Sequence, residues 1–303
     1  LFFLIGFIFV IKNNNNFLKN FKKVFLFVFL LVIFDAFIQF FYGTNLIGYS
    51  ASEIENMRIS GLFGDELILG SYVARFTFLI IALILYTNLK IKNIYILFFI
   101  ILSFSITLIS GERTSLALSI MSIIFFMLLT NLINLKLKIS VFVILTLIIT
   151  GSIKYNDNVK HRMKMTLTDI ASSEHIFFFS EGHGNHFKTA LNLFKANKTF
   201  GQGANNFRKK CSNEKFFVEP YGCSTHPHNL YLQLLAETGI LGFIFIFLIF
   251  LKIVIYSLKH FYMKYFKRKD YLSEYEITLL TCMLINFWPV VPTGNFFSSS
   301  FGN

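Results

Sequence analysis

Charge is scarce in this sequence. Asp, Glu, Lys and Arg make up 15% of its 303 residues, against about a quarter in a soluble domain. Hydrophobic residues make up 55%, Phe alone occurs 41 times, and mean hydropathy is +0.62. A soluble core cannot hide that much apolar surface, which excludes an ordinary water-soluble domain and leaves lipid as the solvent. Cysteine is rarer still, with three residues, and none sits in a convincing zinc spacing. Cys223, His226 and His228 lie close together but have no fourth ligand nearby in sequence. No internal repeat is present. What charge there is leans one way, to a net +12. Part of that excess fits a phosphate-rich partner, such as anionic lipid or a lipid diphosphate. The larger part is what the cytoplasmic loops of membrane proteins carry anyway.

Apolar runs of about 20 residues mark membrane helices. A partial run covers Leu1 to Ile11. Fuller ones cover about Val24 to Tyr42, Leu67 to Tyr86, Ile94 to Ile109, Ser115 to Leu132 and Ile139 to Ile153. A polar stretch from Lys154 to His228 interrupts the series and is far longer than a usual connection. Apolar runs resume at Leu230 to Leu258 and Ile277 to Val291. The expected fold is all-α, a polytopic transmembrane helix bundle with one large outer loop that contains short amphipathic helices. Residues 1–153 form the first transmembrane part, 154–228 the loop, and 229–303 the C-terminal transmembrane helices. The chain opens inside an apolar run and stops after a Pro/Gly/Ser stretch, so a piece is expected to be missing at each end.

Loop charges orient the bundle. Lys12, Lys19, Lys22 and Lys23 fall on one side if every run crosses once. Lys90 and Lys92, Lys136 and Lys138, and Lys259, Lys264, Lys267, Arg268 and Lys269 fall on the same side, which the positive-inside rule makes cytoplasmic. The opposite face carries Arg58, the turn Gly111-Glu112-Arg113 and the long polar stretch. Within that stretch Phe187, Ala190, Leu191 and Phe194 recur with helical spacing, and Gly201-Gln202-Gly203 marks a turn. Cys211 and Cys223 share this loop, and a periplasmic location allows a disulfide between them. Closing a loop of that size contributes about 3 kcal/mol. Cys282 lies in a membrane run and reads as a small core residue.

The segment from Cys223 to Gly242 holds the most chemistry. Pro227 biases His226 toward extended backbone, and His228-Asn229 stands where the chain enters a membrane helix. Asn229 is a good N-cap. The unpaired N–H groups and the helix dipole favour an anion there and disfavour a protonated imidazole, which keeps His228 neutral and basic, as a general base must be. Asn229, Gln233 and Glu237 form one polar stripe down an otherwise apolar helix. A carboxylate so deep needs a partner or a wet cavity: either an ion pair that holds helices together or a direct functional role. Gly239 and Gly242 are spaced for close helix packing. Arg58 and Arg113, both at the outer boundary, offer guanidinium groups suited to diphosphate oxygens.

These residues fall in motifs that resemble the family of O-antigen ligases and O-antigen polymerases. His228-Asn229, nine residues, then Gly239-Ile-Leu-Gly242 is similar to the family's His-Asn…Gly-x-x-Gly pattern. Gly111-Glu-Arg-Thr114 is similar to its Ser-Gly-Ser-Arg-Thr, and Arg58-Ile-Ser-Gly-Leu-Phe63 to its Arg-x-x-Gly-Leu-Phe. Ala190 to Phe194 followed by Phe200-Gly-Gln-Gly203 resembles its outer-loop helix and turn, and Pro292-Thr-Gly-Asn-Phe296 the stretch before a last membrane helix. The resemblance spans about Arg58 to Asn303.

The resemblance implies a glycosyltransferase in the bacterial inner membrane with its active site facing the periplasm. Its donor is a glycan on undecaprenyl diphosphate. Its acceptor is a sugar hydroxyl, on lipid A–core for a ligase or on a second lipid-linked glycan for a polymerase. Membrane lipid surrounds it, and no metal, nucleotide sugar, other cofactor or nucleic acid takes part. His228 is then the base, Arg113 binds donor phosphate, Arg58 is a second candidate for that task, and Asn229, Glu237, Gly239 and Gly242 support them. Many members carry an Arg at the start of the loop helix. That place here holds His183, which binds phosphate less reliably because imidazole is mostly neutral at pH 7. Lys188, Arg162 and Arg208 are the cations available to substitute. Some bicarbonate-type transport proteins resemble the same superfamily, and a transport path along the polar stripe is the rival reading.

Overall fold

The computed structural model describes residues 9–14, 16–51, 58–87, 92–171 and 181–297. Residues 1–8 of the first apolar run, and Lys90, lie outside them. Among the described residues the chain is helical, with α1 Phe17–Tyr42, α2 Leu69–Thr87, α3 Asn93–Ile109, α4 Arg113–Leu129 and α5 Leu135–Tyr155. Then come α6 Asp157–Ala171, α7 Glu181–Ala196, the single turn α8 Phe207–Lys210, α9 Leu230–Phe266 and α10 Glu274–Asn286. Four of these, α1, α2, α5 and α9, are long and apolar enough to cross a membrane, and α3 and α4 are shorter apolar helices. The protein is a helical membrane bundle, as its apolar runs require.

Several helix ends differ from the apolar runs, each for a local reason. α1 starts at Phe17 and so carries Lys19, Lys22 and Lys23 on its first turns. Lys22 Nζ reaches Thr87 Oγ1 at 2.7 Å, a long stem with its charge at the polar edge. α1 stops at Gly43, whose φ of 81° closes the helix with an N–H bond to Gln39 O. α5 takes in Lys136 and Lys138 because Asn134 Oδ1 accepts from Leu137 N and caps it early. α10 stops at Asn286 rather than near Val291. Its 13 residues rise about 20 Å, short of a bilayer core, and Pro289 blocks continuation.

The chain divides into two compact units. The first comprises Leu1–Met163 and Ser257–Asn286. In it α2 packs against α1, α3, α4 and α10, around fully buried Phe29, Phe78, Phe104 and Phe126. Buried hydroxyls in these helices bond back to their own turns: Thr77 to Val73 O, Thr107 to Phe104 O, Ser122 to Ser119 O and Thr281 to Ile277 O. That satisfies these four hydroxyls within their own helices, whereas Ser103 Oγ, buried in α3, has no hydrogen-bond partner among the described residues. The C-terminal carbonyls of α4 are capped by lysines expected in loops. Lys264 Nζ donates to Leu128, Leu129 and Thr130 carbonyls at 2.8–3.0 Å, and Lys138 Nζ donates to Met127 O and Thr130 O. His260, fully buried, accepts from Leu272 N on Nδ1. Its proton therefore sits on Nε2, which donates to Leu129 O.

The second unit comprises Lys164–Tyr256 and Phe287–Asn303. Its core is small, with Ala190, Leu193, Phe207, Cys211 and Ala236, and a disulfide joins Cys211 to Cys223. α7 forms where the apolar spacing predicts, but it buries Phe187, Ala190 and Leu193 and leaves Leu191 exposed. α9 is interrupted at Gly239, which has φ 66° and ψ −161°. The loop backbone fills the break: Gln202 N donates to Ala236 O at 2.8 Å, Gly203 N to Glu237 O at 2.9 Å, and Ile240 N to Lys198 O at 2.9 Å. A side-chain carbon on Gly239 would stand 2.3 Å from Thr199 O, and one on Gly201 would stand 2.5 Å from the Glu237 carbonyl carbon. This corrects the expectation that Gly239 serves helix–helix packing. Gly239 breaks the helix to admit a loop, and a Cβ on Gly242 would meet Thr238 Oγ1 of its own helix. Gly239→Ala is therefore expected to cost about 2 kcal/mol or more, from positive φ alone, with the clash in addition. A lowered melting temperature of the purified protein would register it, and an unchanged one would refute it.

Candidate active site

In the first unit, polar side chains from the membrane helices hold the Arg58 and Arg113 loops. Gln39, 1% exposed, accepts from Ser60 N at 3.1 Å and Gly61 N at 2.7 Å on Oε1 and donates to Tyr49 O. One turn earlier on α1, Asp35 Oδ1 accepts from Leu46 N at 2.8 Å. Asn45 Nδ2 donates to Gly61 O at 2.7 Å. The backbone on which Arg58 rides is thus fixed from inside α1, and Arg58 Nη2 donates to Leu67 O at 2.9 Å. Sequence reasoning missed Asp35 and Gln39, although two polar residues one turn apart in an apolar run were there to be read.

The Gly111-Glu112-Arg113 turn is tied to α2. Glu112 accepts from Gly70 N at 2.6 Å and Ser71 N at 3.1 Å, and from Ser115 Oγ at 2.7 Å. A carboxylate remote in sequence thereby caps the α2 N-terminus. Burial pushes the Glu112 pKa up against the pull of these bonds and of nearby Arg58. Arg113 is the first residue of α4. Arg162, from α6, donates twice to Gly111 O, at 3.3 Å from Nε and 3.0 Å from Nη2. Arg58, Gly111 and Arg162 line one cavity of about 170 Å³, together with Gln39, Phe40 and Asn158. Arg113 is not among its lining residues. The structure thus brings Arg58 together with Arg162, which the sequence offered only as a substitute cation.

In the second unit, His228 sits at the mouth of α9 with a φ of 58°. Asn229 caps the helix, its Oδ1 accepting from Leu232 N at 3.1 Å, while its Nδ2 donates to Pro289 O and Val291 O. Thr293 N donates to His228 O at 2.9 Å. Three more imidazoles surround the ring. His228 lies 4.1 Å from His226, 5.2 Å from His183 and 5.4 Å from His186, centroid to centroid. His226 Nε2 faces Thr293 O at 3.1 Å and Nδ1 faces Thr225 Oγ1 at 3.0 Å, so its proton belongs on Nε2. His186 Nδ1 is buried without a hydrogen-bond partner among the described residues. His183, His226 and His228 were singled out in sequence. His186 was visible in the same Glu181-to-His186 motif, but only the fold shows that all four meet. Among the described residues, no group of three or more His, Cys, Asp or Glu is arranged to hold a metal ion.

The polar stripe of α9 secures this cluster. Asn229 holds residues 289–291. Gln233 donates to Asn295 Oδ1 at 2.7 Å and accepts from Phe296 N at 3.0 Å. Glu237, 2% exposed, accepts from Asn205 N at 3.0 Å, Phe207 N at 2.8 Å and Gln233 Nε2 at 3.2 Å. The buried carboxylate thus serves as an acceptor for loop backbone.

Burial drives the pKa of all four imidazoles below the ordinary histidine value. For His228, burial and then repulsion from His226, His183 and His186 bring it to about 3. His183, His186 and His226 are lowered first by burial as well. The cluster is therefore a set of neutral imidazoles at pH 7, able to accept a proton and reluctant to keep it.

Apolar helices, a buried polar stripe and a neutral imidazole cluster at a helix mouth define a polytopic membrane protein with a preorganised basic site. Residues 97–247 match the family model described as O-antigen ligase, and the chain belongs to that family of bacterial membrane glycosyltransferases, which act on lipid-linked glycans. The matched stretch includes Arg113, His183, His228 and Gly242, and Arg58 lies outside it. No curated protein and no solved structure matches the chain.

The pKa shifts carry a sign. In the unfolded chain these imidazoles bind protons near pH 6.5, whereas folded His228 does so only near 3. Between those values the unfolded state holds more protons, so the cluster's stability is full above about pH 6.5 and falls as the pH drops toward 3. Amide hydrogen exchange across residues 181–196 and 222–230 is expected to lose protection between pH 7.5 and pH 5, after correction for intrinsic rates. Equal protection at both would contradict the depressed values.

Proposed function

We propose that this protein transfers a glycan from undecaprenyl diphosphate to a sugar hydroxyl of lipid A–core, as an O-antigen ligase, at the periplasmic face of the inner membrane. The observation that carries the reading is the position of His228, at the mouth of a membrane helix with three other imidazoles around its ring. The acceptor oxygen attacks the anomeric carbon, the bond from that carbon to the diphosphate oxygen breaks, and His228 takes the acceptor proton. Arg113 and Arg58, with His183 where other members carry an Arg, stabilise the departing diphosphate. The reaction needs no metal, because imidazole and guanidinium groups supply both the base and the charge. The disulfide between Cys211 and Cys223 supports a periplasmic loop, since such bonds persist in that compartment.

A polymerase would use the same chemistry with a second lipid-linked glycan as acceptor. Transport along the α9 stripe is disfavoured, because Asn229, Gln233 and Glu237 spend their polar atoms on loop backbone and on one another. Complementation of a host lacking its own ligase, with surface glycan read on a gel, tests the proposal. Wild type is expected to restore glycan on lipid A–core, and His228→Ala to reduce it about 10²–10⁴-fold at unchanged protein level. Attachment that persists in the variant would remove His228 from the mechanism. Polymer lengthening without attachment would make the protein a polymerase.

A further inference from the structure

The imidazoles around His228 differ in what their nitrogens already do. His226 has both committed, Nε2 to Thr293 O at 3.1 Å and Nδ1 to Thr225 Oγ1 at 3.0 Å. Its ring packs 4.1 Å from that of His228 but offers it no nitrogen. His186 hydrogen-bonds the Cys223 backbone, and the bond favours its protonated form, so the imidazole donates and Cys223 O accepts. Nδ1 is the nitrogen left buried without a partner among the described residues, so the donor is Nε2. Neutral His186 carries its one proton there, and Nδ1 presents a bare lone pair.

The fold fixes that tautomer. Asn185, 5% exposed, donates from Nδ2 to Glu219 O at 3.0 Å, and Asn192 Nδ2 donates to Phe216 O at 3.2 Å. The segment that supplies Cys223 O is thus fastened along α7. A side-chain carbon on Gly222 would stand 2.7 Å from Thr189 Oγ1, so the segment lies close on the helix, and the disulfide to Cys211 holds Cys223 itself. A buried acceptor left without a donor is costly. His228 becomes such a donor once it is protonated. The two rings lie 5.4 Å apart, inclined at 30°, and at that separation facing ring nitrogens come to about 3 Å, hydrogen-bond distance. Around the pair stand His183 and His226, and Arg208 and Glu237 bear on His226. The Glu237 carboxylate is engaged by Asn205 N, Phe207 N and Gln233 Nε2. Repulsion acts between two protonated rings, whereas a single proton between His186 and His228 meets a lone pair.

We propose that His186 and His228 hold one proton between them, with Nδ1 of His186 accepting from protonated His228. The use of the pair in glycan transfer rests on the function proposed above, but the pairing does not. In that reaction His228 takes the acceptor proton on one nitrogen and passes the proton of its other nitrogen to His186 Nδ1. His228 is neutral again, His186 keeps its Nε2–H on Cys223 O, and the proton leaves from His186 to water.

The test is histidine ¹⁵N NMR of the purified full chain in detergent, titrated toward acid pH. His186→Gln keeps a side-chain N–H for Cys223 O and removes the Nδ1 base. With the proton shared, His228 in this variant takes up a proton at a pH about one unit lower than in wild type, because the imidazolium has lost its acceptor. Uptake at the same or a higher pH, as repulsion alone predicts, overturns the pairing. The downward shift in His183→Gln instead would put the partner at His183 and overturn the assignment equally. Should His186→Gln fail to fold, the wild-type spectrum decides. Signals of His186 and His228 that move together uphold the pair, and a neutral His186 with its proton on Nδ1 overturns it. In glycan transfer His186→Gln is expected to lower kcat about tenfold and leave KM unchanged. A chain that shares the proton yet transfers no glycan upholds the pair while the glycosyltransferase reading fails. Transfer that needs His228 but not His186 overturns the pair's part in the reaction and leaves that reading standing.

Discussion

A backbone or side-chain polar group near a bilayer has no water to fall back on, so it must find a partner inside the protein. In this chain the partners are exchanged between membrane helices and loops. Gln39 and Asp35, inside α1, hold the segment that carries Arg58. Glu112 reaches from one turn to the start of α2. Asn229, Gln233 and Glu237 face out of α9 to three different stretches of loop. Where α9 itself breaks, the loop lends its N–H groups to the orphaned carbonyls. The groups assigned to chemistry hang from these exchanges rather than from the apolar core.

The same constraint explains the character of the histidine cluster. Burial removes the solvent that would screen positive charge on the four rings, and His228 is in addition repelled by the other three. A base in such a setting takes a proton only while bonds are changing and then passes it on. Its value lies in never being blocked by protonation at neutral pH.

How much of this was legible in sequence follows from range. Lipid selects for unbroken apolar runs, so the helices and their order could be read directly. Their ends moved for local reasons that hydropathy does not register: Asn134 caps α5 early, and Pro289, just beyond Asn286, stops α10. His228 and Asn229 were readable because a helix-entry imidazole with a capping Asn is a local pattern. The break at Gly239 was not, since a glycine in an apolar run looks the same whether it meets another helix or a loop, and here Thr199 and Gly201 decide. Arg162 was noticed but not located, because its place beside Gly111 is set by a contact remote in sequence. Asp35 and Gln39 were legible and overlooked.

Lys138 and Lys264 end with their ammonium groups on the last carbonyls of α4. On the orientation proposed above, these belong to the basic residues whose count sets which way the helices enter the membrane. One pair of charges therefore serves twice, first as a retention signal during biogenesis and later as a lock on a finished helix. Drift at either position is constrained by two stages of the protein's life. A neutral replacement that kept the cap would weaken the topogenic signal, and a basic one that missed the carbonyls would leave a correctly inserted chain with a frayed helix.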